Sequence, residues 1–166
     1  MKIVEKVADV FNILHDGSIE EWWFDKDVLT LKISCQYLAE IINPTFNFFN
    51  VELIGITTVE LEPWWDDVTL NEIITSHEDV FKGELEILSA KVLDDNVQVI
   101  CNQWSKSLAY SGGNLLISCK QIEVYDEAKG SLSLSGLNDI CNSYWGSFGN
   151  CCRITEQINI QLPLLK

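Results

Sequence analysis

Two histidines, six cysteines and 25 carboxylate side chains are the groups through which this 166-residue chain could do chemistry. His15 precedes Asp16, and His77 precedes Glu78 and Asp79. An imidazole oriented by a carboxylate makes a general base, provided that a nucleophile converges on it. Convergence is a property of the fold, and adjacency in so acidic a chain does not stand in for it. His15 falls where a helix should end, and a positive charge there favours the macrodipole. His77 shares helical spacing with Ile73, Ile74 and Phe81, which suits packing. No catalytic residue is assigned, and an enzyme is the minority reading.

The cysteines are Cys35, Cys101, Cys119, Cys141, Cys151 and Cys152. An even count without an export signal favours free thiols over disulfides. Cys35, Cys101 and Cys119 lie in apolar, strand-like runs, where cysteine serves as a small hydrophobe. Cys151-Cys152 beside Arg153 could hold an activated thiol, but no cysteine-hydrolase signature surrounds it, and a loop is the simpler reading. No C-x-x-C occurs, so zinc-ribbon and thioredoxin-like chemistry lack support. The acid pairs Glu20-Glu21, Asp25/Asp27, Asp66-Asp67, Glu78-Asp79 and Asp94-Asp95 sit in expected turns or helix starts, where carboxylates bond to nearby backbone. They lack the series of ligands and the glycine of a calcium loop. Gly112-Gly113 has neither the spacing nor the Lys-Ser/Thr tail of a phosphate loop. No metal and no cofactor is expected.

Six tryptophans remain, and they are the most informative residues. Trp22-Trp23 and Trp64-Trp65 are adjacent pairs. In a strand, neighbours point to opposite faces, so one member of each pair should be core and the other exposed or covered by a helix, the alternative being that both sheet faces are covered and every Trp is core. Exposed aromatics suit an interface because they bury much area at low entropic cost. With Glu20-Glu21 beside one pair and Asp66-Asp67 after the other, the candidate binding residues are Trp22, Trp23, Trp64, Trp65, Asp66 and Asp67.

The elements that must position them follow from periodicity. Residues 2–14 have helical spacing at Ile3, Val7, Val10, Phe11 and Leu14, with Gly17 available as a left-handed cap. Residues 19–24 and 28–38 read as strands joined by Asp25-Lys26-Asp27, and residues 46–49 and 51–61 as further strands. Residues 67–82 switch to helical spacing at Leu70, Ile73, Ile74, His77, Val80 and Phe81. Strands return at 84–93 and 97–104 around Asp94-Asp95-Asn96. Ser111-Gly112-Gly113-Asn114 reads as a turn before a long strand over 115–125. A helix capped by Ser135 is expected over 136–147, and a last strand over 154–162. A weak repeat is visible at about 66 residues, with a glycine-led strand at Gly17 and again at Gly83; hairpin patterning accounts for it more simply than duplication. The expected fold is a single α+β domain over residues 1–166: an antiparallel sheet or partly closed barrel with about three packed helices.

Composition bounds the function. Eleven Lys and Arg against 25 Asp and Glu leave a net charge of −14. Binding of nucleic acid is disfavoured, because neutralising phosphates takes clustered cations. No run of about 18 uncharged apolar residues exists to cross a membrane. The first residues lack the pattern of a signal peptide, which points to the cytoplasm. In size and charge the chain resembles small bacterial immunity proteins that neutralise a toxin, and inhibitors that mimic nucleic acid. The expected function is a protein-binding module whose acidic, aromatic-bearing surface docks a basic protein. A small-molecule or carbohydrate-binding β-domain is the alternative, and an exposed aromatic patch would equally serve as a homodimer face.

Overall fold

A computed structural model describes residues 1–146. The first helix, α1 (Ile3–Ile13), buries Val7, Val10, Phe11 and Ile13 along one face. The backbone N–H of Lys2 donates to the Glu5 carboxylate (2.8 Å) at its start. The chain leaves α1 through Asp16, which takes the left-handed conformation at φ 63° instead of Gly17. Gly17 is needed for space: a Cβ there would lie 2.9 Å from the Leu14 carbonyl oxygen and 3.0 Å from that of Ser34.

Strands β1 (Ser18–Asp25) and β2 (Val28–Ser34) form a hairpin on Lys26-Asp27, with Lys26 left-handed at φ 59°. The strand expected over 28–38 stops at Ser34, and α2 (Gln36–Ile42) follows, burying Leu38 and Ala39. Next come β3 (Phe48–Ile54) and β4 (Thr58–Trp65). The helix expected over 67–82 does not form; only one turn, α3 (His77–Val80), is helical. Its backbone is committed elsewhere. The Asp67 carboxylate accepts from the Thr69 N–H and hydroxyl (3.0 and 2.7 Å), and Ile74 exchanges both backbone bonds with Leu61 (2.9 Å each). Such local bonds compete directly with an i→i−4 ladder.

The hairpin of β5 (Leu85–Leu93) and β6 (Asn96–Gln103) turns at Asp94-Asp95, as expected. The supposed turn at 111–114 lies inside β7 (Tyr110–Ser118). The run over 115–125 is divided between β7 and β8 (Gln121–Tyr125), and a short β9 (Ser131–Leu132) follows. The last described helix, α4 (Leu134–Gly146), is capped by Ser133, whose hydroxyl accepts the Gly136 N–H (3.0 Å), and not by Ser135. The expected strand over 154–162 and Cys151-Cys152-Arg153 lie outside the described residues.

All nine strands join one antiparallel sheet in the order β4-β7-β6-β5-β1-β2-β3-β8-β9, not closed into a barrel, so the fold is α+β. Through β8 this order is unchanged when the first four strands are exchanged for the second four. The weak sequence repeat carries Ile19 to Leu85, and these two residues face each other where β1 meets β5. Hairpin patterning alone does not require that arrangement. Inward side chains of both halves, among them Leu31, Val51, Leu61, Val99 and Leu115, form one buried cluster with α1, α2 and α4.

Candidate functional site

Alternation sorts the strand residues into an inward, buried set and an outward set. In β3, Phe49, Val51 and Leu53 are buried while Asn50 and Glu52 are not. In β8, Ile122 and Val124 are buried while Glu123 is not. Register then brings outward residues from distant parts of the chain together. Trp23, Thr30, Glu52 and Glu123 lie in one row across β1, β2, β3 and β8, with Thr30 itself buried in that row. Glu21, Lys32, Asn50 and Tyr125 form the next row. The Lys32 ammonium pairs with Glu21 (2.7 Å) and lies 4.7 Å from the centroid of the Phe48 ring. Tyr125 donates its hydroxyl to Glu123, and Gln121 donates to the same carboxylate (2.5 Å). These contacts hold the Glu123 carboxylate in place and push the Tyr125 phenol up to about 12, chiefly through that hydrogen bond.

Glu52 and Glu123 are direct cross-strand partners. Like charges directly opposite destabilise a sheet. With Trp23 44% exposed at the end of the same row, this face combines an accessible indole with two carboxylates that form no ion pair among the described residues. The second half of the sheet repeats the theme. Glu60 and Glu62 of β4 face outward, the Trp64 ring (39% exposed) covers Gly112, and Trp104 (70% exposed) donates its indole N–H to Glu86 (3.0 Å).

The tryptophan pairs divide between faces as alternation requires. Trp23 and Trp64 are outward and exposed; Trp22 and Trp65 are inward and half-buried. β5, β6 and β7 stand between β1 and β4, so the two pairs do not meet as one surface within the sheet. Asp66 and Asp67 are exposed just beyond β4. The two bonds from Thr69 hold the Asp67 carboxyl below the usual range. Trp65 donates its indole N–H to the Glu72 carbonyl (3.1 Å) and packs edge-on against Tyr110.

The histidines serve separate places. His15 Nδ1 contacts the Asn12 carbonyl (2.8 Å), its Nε2 lies 3.8 Å from the Asp16 carboxylate, and its ring stacks on Trp145. His77 packs against Phe24 (4.8 Å) and Trp22 (6.3 Å), facing a depression lined by Trp22, Phe24, Ser76, His77 and Glu78. No group of three or more His, Cys, Asp or Glu among the described residues is arranged to hold a metal, and no helix among them is long and apolar enough to cross a membrane.

Among the described residues Cys35, Cys101, Cys119 and Cys141 are buried, and the first three are in no disulfide. Burial pushes Cys35 up to about 11 and Cys101 up to about 12, so both are protonated at neutral pH. Since the thiolate is the reactive form, Cys35 and Cys101 are expected to resist a maleimide at pH 7.5 until the protein is unfolded. Peptide mapping after native labelling checks this, and rapid modification of Cys35 in the folded protein would refute it.

Sequence reasoning missed Glu52, Glu123, Glu60, Glu62, Glu86 and Trp104. The available signal is the spacing of glutamates two apart in Glu60-Leu61-Glu62, which marks an acidic strand face. No protein-family model, no curated protein and no solved structure matches this chain.

Proposed function

We propose that this protein is a cytoplasmic protein-binding module, immunity- or inhibitor-like in kind, whose outward face on β1, β2, β3 and β8 docks a basic protein. The observation that carries this reading is the row of Trp23, Thr30, Glu52 and Glu123, where an exposed indole ends a strand row containing two opposed carboxylates. A sheet that keeps such a pair forgoes stability, and a cationic partner recovers it by neutralising both charges. The net charge of −14 extends the attraction beyond contact distance and steers association. The tagged chain is therefore expected to retain one basic protein in stoichiometric amount at low salt. Release should come by about 1 M salt, where the screening length falls to roughly 3 Å. Retention of no protein at either salt concentration would contradict the proposal.

One observation favours a second reading, a small-ligand site. The Tyr110 hydroxyl is buried with no hydrogen-bond partner among the described residues, beside a depression of about 450 Å³ walled by Trp65, Ile73, Leu108 and Asp79. A ligand with a hydrogen-bonding group would satisfy it. Quenching of tryptophan emission by a metabolite, lost in Trp65→Phe, would move the assignment to that depression.

A further inference from the structure

Every strand in an open sheet position exposes backbone groups along its free side, and such a row is a template for another strand unless it is blocked. Among the described residues, the free sides of β5, β4 and β8 each carry a block, and the edge strand β9 is only two residues long. On β5, the Asn12 side chain accepts the Ala90 N–H (2.7 Å) and donates to the Ala90 carbonyl (2.9 Å), acting as a stand-in for a strand. On β4, Ile74 takes both backbone groups of Leu61, and Pro63 removes a donor. On β8, Lys6 donates to the Ile122 carbonyl (3.1 Å), and β9 covers Val124 and Tyr125.

β1 is different. It pairs with β5 only at Ser18 and Ile19, while its pairing with β2 continues to Asp25. Residues 20–25 therefore have hydrogen-bonded neighbours on the β2 side alone among the described residues. Space lies alongside: the depression of about 640 Å³ lined by Trp22, Phe24, Ser76, His77 and Glu78. In the exchange of halves, Asn12 of α1 corresponds to the start of α3, where Glu78 and Asp79 are exposed and donate nothing to β1.

We propose that β1 is a strand-addition site, and that its occupant is an extended basic segment of the partner protein. The mode rests on the function proposed above and specifies how that partner is gripped. Main-chain bonds to residues 20–25 supply affinity, and alternate side chains read the flanks. One set of the incoming side chains lies against Trp22, Phe24 and His77, which asks for apolar residues. The other set lies beside Trp23. Glu20, Asp25 and Glu78 border the edge with no basic residue in β1 itself, which asks for Lys or Arg. The same charges oppose pairing of β1 with a second copy, because carboxylates would face carboxylates.

The test uses a capped ten-residue peptide of alternating Lys and Val, and the same peptide N-methylated at alternate residues in each of the two phases. Charge and side chains are kept, while one N-methylated phase loses the donors that face β1. Binding of the unmodified peptide is expected to slow hydrogen exchange of alternate amides in residues 20–25 about tenfold or more. One N-methylated phase is expected to bind about tenfold more weakly or worse. Equal binding of all three peptides, or binding that leaves residues 20–25 unprotected, would overturn strand addition while leaving the acidic face as the docking surface. Failure of the peptide to bind at millimolar concentration would overturn it as well, and so would protection that rises with protein concentration alone, which would assign the edge to a second copy.

Discussion

Glu52→Lys is expected to make the protein more stable and a worse binder. Glu52 faces Glu123 directly across β3 and β8, so a lysine there replaces repulsion with an ion pair. Opposite charges in such a position contribute roughly 0.2–1 kcal/mol relative to a neutral pair, and the relief of repulsion adds to this. The thermal midpoint should rise by a few degrees, in line with about 2–4 °C per kcal/mol for a domain of this length. Affinity for a basic partner should fall in the same variant, because a like charge now faces it. With Glu123→Lys added, the juxtaposed positive charges should cost several kcal/mol, about a hundredfold or more in affinity. Thermal melts and salt-dependent retention on the same samples check both halves. A variant that is less stable, or that holds the partner as well as the native chain, would show that the opposed glutamates are not there for binding.

Gly112→Val is expected to destabilise the protein by about 3 kcal/mol or more, enough to unfold much of it at 37 °C. A Cβ at this position would lie 2.3 Å from the Cys101 carbonyl oxygen and 3.0 Å from two atoms of the Trp64 ring. The first neighbour is backbone of β6 and cannot swing aside. The second is a large ring seated on the glycine, and displacing it would strip the cover from β7. Gly136→Ala is the matching control. Its Cβ would find only the Ser133 hydroxyl at 3.4 Å, and alanine within α4 should add stability by up to about 1 kcal/mol. Urea denaturation of both variants checks the contrast. Equal midpoints would mean that β7 does not pack against Trp64 and Cys101 as described.

Gly112 also shows where the chain is legible and where it is not. Two successive glycines read locally as a turn, because turn chemistry is local. The reason for glycine here is a tryptophan on β4 and a carbonyl on β6, both distant in sequence, and only the register brings them together. The hairpins are legible as Asp25-Lys26-Asp27 and Asp94-Asp95-Asn96 because a short polar connection between alternating runs is a short-range signal, and the structure narrows them to Lys26-Asp27 and Asp94-Asp95. Also legible is the division of the tryptophan pairs, which follows from alternation alone. The segment around Leu70 and Ile73 misled because its apolar spacing is helical. Ile73 is 51% exposed, and its neighbour Ile74 is held by the edge of β4. Residues 36–42 misled in the other direction, since Leu38 continues the apolar count of β2 although the chain turns at Cys35. The acidic site was half legible: Trp23 was picked out by type, while the opposition of Glu52 and Glu123 exists only once β3 and β8 are paired.

Hydroxyl-radical footprinting of the tryptophans tests the central claim most directly, because it reads indole access with and without a bound partner. Trp23 should oxidise readily in the free protein, as its 44% exposure requires, and become protected when the basic partner retained at low salt is present. Trp23 remaining as reactive in the complex as in the free chain would contradict docking on the outward face of β1, β2, β3 and β8.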